Sequence, residues 1–394
     1  MSWPLVKLGD VAPAKPSKNA FSKSEEVWTL NLDQVEADTG KVLGKIMAPV
    51  SEAGTSTHGF DERHVLYSKL RPYLNKVVLP DGRGLATTEL VPMLPDPSRL
   101  DRKYLAYYLR SKSFVDWVSS QVAGAKMPRV SMQLFWQHEI PLPPLPEQKR
   151  IAAILDKADA IRRKRQQAIQ LADDFLRAVF LDMFGDPVTN PKGWDVKPLS
   201  AGIRSISSGW SASGENRPCS DGEKGVLKIS AVTSGVFKPE ENKTVPLDQI
   251  PDGKKLLFPK RGDLLFSRAN TRELVAASCI VMTDVEDVFL PDKLWLIETD
   301  QKKFLPEFLN YLLWQPRFKE RLTSQATGTS GSMLNISKSK FEETDAFFPN
   351  MELQGKFKRI YWALQEALEV SVSSRGAGDC LFESLSQKAF SGKL

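Results

Sequence analysis

The stretch that decides the fold is 141–187, which reads PLPPLPEQKRIAAILDKADAIRRKRQQAIQLADDFLRAVFLDMFGDP. Closely spaced prolines up to Pro146 exclude a helix before that residue, because proline lacks a backbone N–H and restricts its predecessor. Gly185, with Pro187 just beyond it, is a stop signal. Neither glycine nor proline occurs in between, which predicts one helix about 50 Å long at about 1.5 Å rise per residue.

Apolar residues inside this stretch recur at steps of four and three. They are Ile154, Ala158, Ile161, Ala168, Ala172, Phe175 and Val179, with Arg165 interrupting the series. Heptad spacing predicts a helix that lies along another helix. The alternative is an amphipathic helix on a single globular core, although globular helices average only about 11–12 residues.

A partner helix is predicted at Phe357–Val372, where apolar residues again recur at threes and fours. The pattern breaks in the Ser- and Gly-rich segment 373–378, and a short helical piece, Leu381–Phe390, follows. The ending AFSGKL resembles the MFGDP that ends the central helix. The sequence therefore predicts an antiparallel pair of helices.

The same similarity extends to the rest of the chain. Matching pairs occur in the same order: WPLVKL with WDVKPL, VLYSKLRPYLNK with DLLFSRANTREL, YLAYYLRSKSF with FLNYLLWQPRF, and SSQVAGAKMPRVS with TSQATGTSGSMLNIS. The offset between matched positions grows slowly along the chain, as small loop insertions would make it. Several weak matches in one order indicate an internal duplication.

These segments resemble the specificity subunits of type I restriction-modification systems. The resemblance is carried by the Trp opening each repeat, the SKLRP, SRANT, AGAKMPRVS and ATGTSGSMLNIS segments and, most specifically, PLPPLPEQKRIAAILDKADAIRRKR. It covers essentially the whole chain and implies an α+β fold, with two pseudo-repeated α/β target-recognition domains separated by an antiparallel pair of long helices (a coiled coil). The predicted domains are 1–145 and 187–349, with the central spacer helix at 146–186 and the C-terminal spacer helix and terminal helical segment at 350–394.

The resemblance implies a non-catalytic subunit that reads a bipartite, asymmetric DNA target. Its implied partners are double-stranded DNA and two methyltransferase subunits, and it stays open whether restriction subunits join them. No cofactor is expected in this chain, while S-adenosylmethionine, ATP and Mg²⁺ are expected in the partner subunits. The helix pair is where the partner subunits should dock, with Ile154, Ile161, Phe175, Ile360 and Leu364 as the predicted contacts.

Cationic and polar side chains mark the candidate DNA contacts. In the first repeat they are Lys69, Arg71, Lys76, Lys126 and Arg129; in the second they are Arg268, Asn270, Arg272, Ser330 and Lys338. Such side chains position phosphates, and arginine suits guanine while asparagine suits adenine. For any single residue, the alternative is a solvated basic edge strand or a plain connecting loop. Because the repeats differ most in these segments, we expect two different half-sites.

Composition permits this function without requiring it. The net charge of +6 and the pI of about 9.0 are a mild basic bias that suits an acidic partner such as DNA. The three cysteines lie far apart and form no CxxC pair, and a zinc site that also used the three histidines would need residues from distant parts of the chain. No phosphate-binding GxxxxGK[ST] occurs. The longest near-apolar run, Leu274–Met282, is too short to span a membrane, and the chain starts with no signal peptide, so a cytoplasmic protein without membrane contact is expected.

Two other functions compete with the DNA-reading adaptor. One is a self-sufficient nuclease or methyltransferase, for which Asp81, Glu89 and Lys76 could be arranged as a nuclease-like set, although such triples arise by chance in most chains of this size. The other is a scaffold in a different phage-defence assembly. Two local expectations also follow from the pattern, a helix over Tyr104–Val118 and a hairpin over Val226–Lys238.

Overall fold

A computed structural model describes residues 3–18, 21–54, 56–123, 127–328, 333–373 and 378–394. The chain divides into two compact units. Unit 1 comprises Met1–Gln167 and Ser371–Leu394, and unit 2 comprises Ala168–Val370. This division cuts the long helix in two, and the domain boundaries predicted from the sequence stay a prediction.

Short strands and helices build unit 1. Its strands are β1 (Leu5–Lys7), β2 (Glu26–Leu30), β3 (Ile46–Pro49), β4 (Thr57–Phe60), β5 (Val65–Ser68), β6 (Val77–Val78), β7 (Gly84–Thr87), β8 (Leu90–Met93), β9 (Val122–Ala123), β10 (Arg129–Val130) and β11 (Glu139–Pro141). Its first helices are α1 (Leu8–Val11), α2 (Arg102–Leu109), α3 (Lys112–Ser120), α4 (Met132–Gln137) and α5 (Leu145–Phe184), which continues into unit 2.

Unit 2 repeats this composition. Its strands are β12 (Asp195–Pro198), β13 (Ile203–Ser208), β14 (Lys224–Leu227), β15 (Asn242–Val245), β16 (Leu264–Ser267), β17 (Ala269–Asn270), β18 (Ser278–Ile280), β19 (Val288–Phe289), β20 (Leu294–Thr299), β21 (Leu334–Asn335) and β22 (Asp345–Phe348). The remaining helices are α6 (Ser230–Thr233), α7 (Pro306–Trp314), α8 (Pro316–Ser324), α9 (Lys338–Glu342), α10 (Met351–Ser373) and, returning to unit 1, α11 (Gly378–Phe390).

The long helix α5 begins and ends where the sequence predicts. It starts at Leu145 within the proline-rich lead-in and stops before Gly185, whose φ of +81° is a left-handed conformation that glycine adopts without strain. The helix α10 begins at Met351, ahead of the predicted Phe357. Among the helices that the structure describes, none has the length and apolar character needed to cross a bilayer.

The buried face of α5 differs from the predicted heptad seam. Core contacts come from Ile151, Leu155 and Ala158 in unit 1, and from Ala172, Leu176, Phe180 and Phe184 in unit 2. The prediction that Ile161 and Phe175 lie in the seam is wrong, because they are 36% and 52% exposed. Apolar residues spaced by four and three positions occur on two neighbouring faces of this helix, so the spacing alone does not tell which face is buried. The large phenylalanine rings, which gain most from burial, lie on the stripe that faces the core.

Within unit 2, α5 packs antiparallel to α10. The rings of Phe180 and Phe184, late in α5, each lie 5.7 Å from the ring of Phe357, early in α10. Ala172, earlier in α5, lines a cavity with Leu368, later in α10. The reversed order confirms the antiparallel pairing over this stretch.

The two units share one topology. Unit 1 has sheets of order β3-β2-β7-β4 and β6-β5-β8, and unit 2 has sheets of order β15-β14-β19 and β13-β20-β16-β18. In each unit a single pair of neighbours is parallel, β2 with β7 and β14 with β19. The first and last strands of each unit also pair, β1 with β11 and β12 with β22. The α+β fold and its predicted duplication are therefore present.

A large apolar core backs the second sheet of each unit. In unit 1 the buried Tyr67 of β5 lies 4.6 Å from the Phe135 ring, with Phe114 beside both. In unit 2 Phe266 of β16 stacks on Trp295 at 5.5 Å. Equivalent strands, β5 and β16, thus carry a central aromatic side chain of each core.

A buried glutamine in unit 1 ties the start of α5 to the start of α2. The Gln148 side chain is fully buried, and its Nε2 donates to the carbonyl oxygens of Arg99 at 2.8 Å and Pro143 at 2.7 Å. Its Oε1 accepts from the backbone N–H of Asp101 at 2.8 Å. Three backbone groups that would otherwise lack partners are satisfied by one amide.

A second glutamine makes the same bonds in unit 2. Gln354, also fully buried, donates Nε2 to the carbonyls of Lys303 at 2.8 Å and Pro349 at 2.9 Å. Its Oε1 accepts from Leu305 N–H at 2.9 Å. The duplication therefore extends to individual hydrogen bonds.

Two local predictions are wrong. The segment Val226–Lys238 is not a hairpin, because β14 is followed by the short helix α6 and pairs with β15 instead. The predicted helix Tyr104–Val118 is two helices, α2 and α3. The break comes at Ser111, whose hydroxyl accepts from Phe114 N–H and caps α3.

Candidate nucleic-acid interface

Three segments of unit 1 meet where the candidate cations cluster. Lys69, just after β5, donates its backbone N–H to the Glu89 carbonyl at 3.0 Å. Its own carbonyl accepts from Val130 N–H of β10 at 3.1 Å. We call these three positions the unit 1 junction. It joins the end of β5, the turn between β7 and β8, and the strand β10.

Unit 2 has the same arrangement. Arg268, just after β16, donates its backbone N–H to the Lys293 carbonyl at 3.1 Å, and its carbonyl accepts from Ile336 N–H at 2.8 Å. We call these positions the unit 2 junction. The backbone bonds are the same as in unit 1, while the side chains differ in size and charge.

An ion pair dominates the unit 1 junction. Arg129 donates Nη2 to Glu89 Oε1 at 2.9 Å and Nε to both carboxylate oxygens at 3.2 and 3.3 Å. The Arg129 hydrogen bond holds the pKa of Glu89 below its usual value. The Arg129 side chain is 44% exposed, and its bonds to Glu89 use Nε and Nη2 but not Nη1.

The unit 2 junction also holds an arginine beside a carboxylate. Arg268 donates Nε to the Asp292 carbonyl at 3.0 Å, and its Nη2 lies 3.8 Å from Asp292 Oδ2. The Ser211 hydroxyl donates to Asp292 Oδ1. The aspartate is thereby fixed from a third segment, and the partly exposed guanidinium of Arg268 is held against it.

Backbone strain marks the loop after the unit 1 junction. Arg71 has φ +48° and ψ +60°, a left-handed conformation that a residue with a Cβ rarely adopts. Its N–H donates to the Pro128 carbonyl at 2.8 Å, and its side chain is exposed beside the half-exposed Tyr73. Strain of this kind clusters at functional sites and is tolerated when neighbouring bonds hold it.

The other predicted DNA contacts fall in different settings. Lys76 is partly buried and donates Nζ to the Leu32 carbonyl at 2.7 Å, a structural bond. Arg272 is exposed, and the Asn270 side chain accepts from Thr271 N–H at 2.8 Å. Lys338, exposed, opens α9 and lies 3.8 Å from Glu342. The predicted contacts Lys126 and Ser330 lie outside the described residues.

The predicted partner contacts divide into two groups. Ile161 and Phe175 are exposed on α5. Ile154 is half-buried, and Ile360 and Leu364 pack partly buried against the core of unit 2. An exposed phenylalanine on a helix has no role in the core of its own chain, so it is available to another molecule.

The residues of the nuclease alternative bind separate partners. Asp81 pairs with Lys45 at 2.7 Å, Glu89 pairs with Arg129, and Lys76 bonds to a backbone carbonyl. The described residues also bring together no three His, Cys, Asp or Glu side chains that could hold a metal ion.

Sequence reasoning missed Glu89 and Asp292. Glu89 directly precedes β8, in TTEL, and Asp292 lies just before β20, in PDKL. Acidic residues had been considered only as catalytic groups.

The comparisons with known proteins agree with one another. The family model described as type I restriction modification DNA specificity domain matches residues 2–171. The EcoDI specificity subunit of a type I restriction enzyme from Escherichia coli is 24% identical over 233 residues, covering 58% of this chain and 52% of that subunit. The chain thus spans about half the length of that relative. The EcoEI specificity subunit, also from Escherichia coli, is 20% identical over 453 residues, covering 90% of this chain and 76% of the relative.

A solved structure supports the fold. The crystal structure of the S subunit of a type I restriction-modification system from M. genitalium superposes with a TM-score of 0.54 at 14% identity. The superposition covers 99% of this chain and 96% of that one. At this level of identity the similarity concerns the fold alone.

Proposed function

We propose that this chain is a specificity subunit of a type I restriction-modification system, with the catalytic activities in other subunits, and that it reads a bipartite, asymmetric DNA sequence. The match to the specificity-domain model and the similarity to the EcoDI and EcoEI specificity subunits support this proposal. The chain directs two methyltransferase subunits, and restriction subunits where present, to that sequence. S-adenosylmethionine, ATP and Mg²⁺ serve those partner subunits in this proposal.

The observation that carries the proposal is the pair of junctions. The same backbone bonds hold Lys69 in unit 1 and Arg268 in unit 2, but the surrounding side chains differ. This suits two units that recognise different base sequences, because base edges are distinguished by side-chain donors and acceptors. Two short contacts of modest affinity on one chain also gain from an effectively intramolecular second binding step.

We further propose that α5 sets the gap between the half-sites. The helix belongs to both units, and removing seven residues shortens it by about 10 Å. The deletion is expected to change the gap while each half-site sequence persists. Changed half-site sequences would contradict this role.

The exposed side chains on α5 support docking of the methyltransferase subunits. Phe175 and Ile161 are exposed on a helix whose other face is buried. Replacing Ile154 and Ile161 together by aspartate is expected to prevent co-purification with the methyltransferase subunits, because charge is costly in an apolar contact. Complex formation at the wild-type level would contradict this assignment.

One experiment tests the proposal as a whole. The chain is expressed with the methyltransferase subunit of its own operon, and host DNA is mapped by single-molecule methylation sequencing. A single asymmetric motif with two specified halves and an unspecified gap is the expected result. Methylation or cleavage by the purified chain alone would instead indicate a self-sufficient enzyme. Failure to co-purify any methyltransferase would favour a scaffold in another assembly.

A further inference from the structure

The side-on geometry of the Arg129 pair leaves a specific set of donors free. Nε and one Nη2 hydrogen face Glu89, so two hydrogens on Nη1 and one on Nη2 remain. These point away along the end of the guanidinium, which is a fork able to donate two parallel bonds. In unit 2 the Nε of Arg268 donates to the backbone carbonyl of Asp292, and the Asp292 carboxylate lies 3.8 Å from Nη2, so the same end of its guanidinium remains. Both arginines are therefore oriented before any ligand arrives.

The neighbouring carboxylates argue against phosphate as the ligand. A phosphate placed on Arg129 would lie close to the ionised Glu89, and like charges at short range repel. A base edge carries no net charge, so the carboxylate repels it much less than it repels a phosphate. The guanine edge in the major groove presents two acceptors, N7 and O6, which match an arginine fork. Lysine lacks that fork.

Resting on the proposed function, we propose that Arg129 in unit 1 and Arg268 in unit 2 are specificity-determining residues that each read one guanine. Glu89 and Asp292 are their positioning residues. Each half-site then contains a guanine whose recognition depends on one ion pair. The two arginines come from different segments of the junction, Arg129 from β10 and Arg268 from the end of β16, so the guanines need not occupy equivalent places in the two half-sites.

The test uses charge-neutral variants in the assembled methyltransferase complex. Arg129→Gln with Glu89→Gln removes the unit 1 pair, and Arg268→Gln with Asp292→Asn removes the unit 2 pair. Matched controls remove exposed ion pairs elsewhere in the same units: Lys45→Gln with Asp81→Asn in unit 1, and Lys224→Gln with Asp287→Asn in unit 2. Binding is measured on DNA with each half-site position randomised, and thermal unfolding checks that every variant is folded.

Each pair variant is expected to lose discrimination at one guanine of one half-site by roughly 10–100-fold, while the controls retain it. Replacing that guanine by 7-deazaguanine, which lacks N7, should weaken wild-type binding and leave the pair variant unaffected. Arg129→Lys should behave like the pair variant, since it keeps charge without the fork. Glu89→Gln alone should weaken the same guanine preference without relaxing any other position.

Two results would overturn the inference. One is equal weakening on all sequences with every base preference intact, which would indicate a phosphate contact. The other is retained guanine preference in Arg129→Lys or in the folded pair variants. The proposed function fails separately, if the wild-type complex selects no bipartite sequence at all.

Discussion

The two junctions share the same backbone hydrogen bonds, but one of their equivalent positions carries opposite charge. In unit 1 the acid Glu89 occupies the position that the base Lys293 occupies in unit 2, and both carbonyls accept the same bond. Arg129 faces Leu70 across an antiparallel bridge, as Asn335 faces Ala269 in unit 2. The backbone hydrogen bonds of the junctions therefore do not depend on which side chains the junction residues carry. The side chains at the junctions could therefore diverge after duplication without loss of the fold.

Strained backbone positions support the same lesson. Asn75 follows the unit 1 loop with φ +50°, and Ala276 has φ +64° in the corresponding turn of unit 2. Neither is glycine, and alanine gains nothing from a left-handed conformation. The surrounding strands therefore determine the positive φ of this turn in both units, and the residue type at the position does not.

The largest expected effect comes from breaking the shared glutamine anchor. Gln148→Leu would leave the Asp101 N–H and two carbonyls without partners, and Gln354→Leu would do the same in unit 2. Each variant should lower the free energy of unfolding of its own unit by about 2–4 kcal/mol, since each orphaned group costs about 1–3 kcal/mol. Hydrogen exchange read by mass spectrometry, which resolves the units, checks this.

The matched control for the anchor is Gln170→Leu, an exposed glutamine on the same helix. It should change stability by no more than about 0.5 kcal/mol. Equal loss of protection in both units from a single anchor variant would show that the units do not unfold separately. Unchanged protection would show that the buried bonds contribute little.

The next largest expected effect is a difference in acid stability between the two units. Burial lowers the pKa of His138 to about 4, so between about pH 6.5 and 4 the unfolded chain binds a proton that the folded unit does not. Stability is then lost as pH falls through this window. In unit 2 Thr344 is equivalent, its carbonyl accepting from Leu199 as that of His138 accepts from Leu8, and threonine does not titrate.

Unit 1 is therefore expected to lose exchange protection before unit 2 as pH is lowered from 7 to 5. All three histidines of the chain, His58, His64 and His138, belong to unit 1, and burial lowers the pKa of His58 in the same direction. His138→Gln should remove part of this acid sensitivity. Earlier loss of protection in unit 2 would contradict the assignment.

The smallest effect concerns the strained loop. Arg71→Gly should stabilise unit 1 by about 1 kcal/mol, because glycine adopts positive φ without the cost that a Cβ imposes. The same change should weaken DNA binding evenly over all sequences. It should also make the slope of log affinity against log salt concentration less steep, by the contribution of about one phosphate contact. Ala276→Gly is the control: it relieves a similar strain in unit 2 at a buried position, without altering DNA binding. If the salt dependence of binding is unchanged in Arg71→Gly, Arg71 does not contact DNA.

Candidate DNA contacts can be selected from residue type alone. Arg129 and Arg268 were selected because cations in the repeated segments stand out in the sequence, and their contact with DNA stays a prediction. The roles of Glu89 and Asp292 could not be predicted, because each depends on an arginine from another segment. Lys76 was predicted from its charge as a DNA contact, and only the structure shows that its Nζ donates to the carbonyl of Leu32; its contact with DNA stays a prediction.

The sequence by itself determined the ends of α5 and the duplication. Proline and glycine act on their own backbone, so Pro146 and Gly185 mark the helix wherever it lies, and repeated segments are visible in one dimension. Only the tertiary structure decided which stripe of α5 is buried and which carboxylate holds which arginine. Those choices depend on contacts between residues far apart in the chain, where the burial of Phe180 and Phe184 outweighs a heptad pattern that leaves Phe175 exposed.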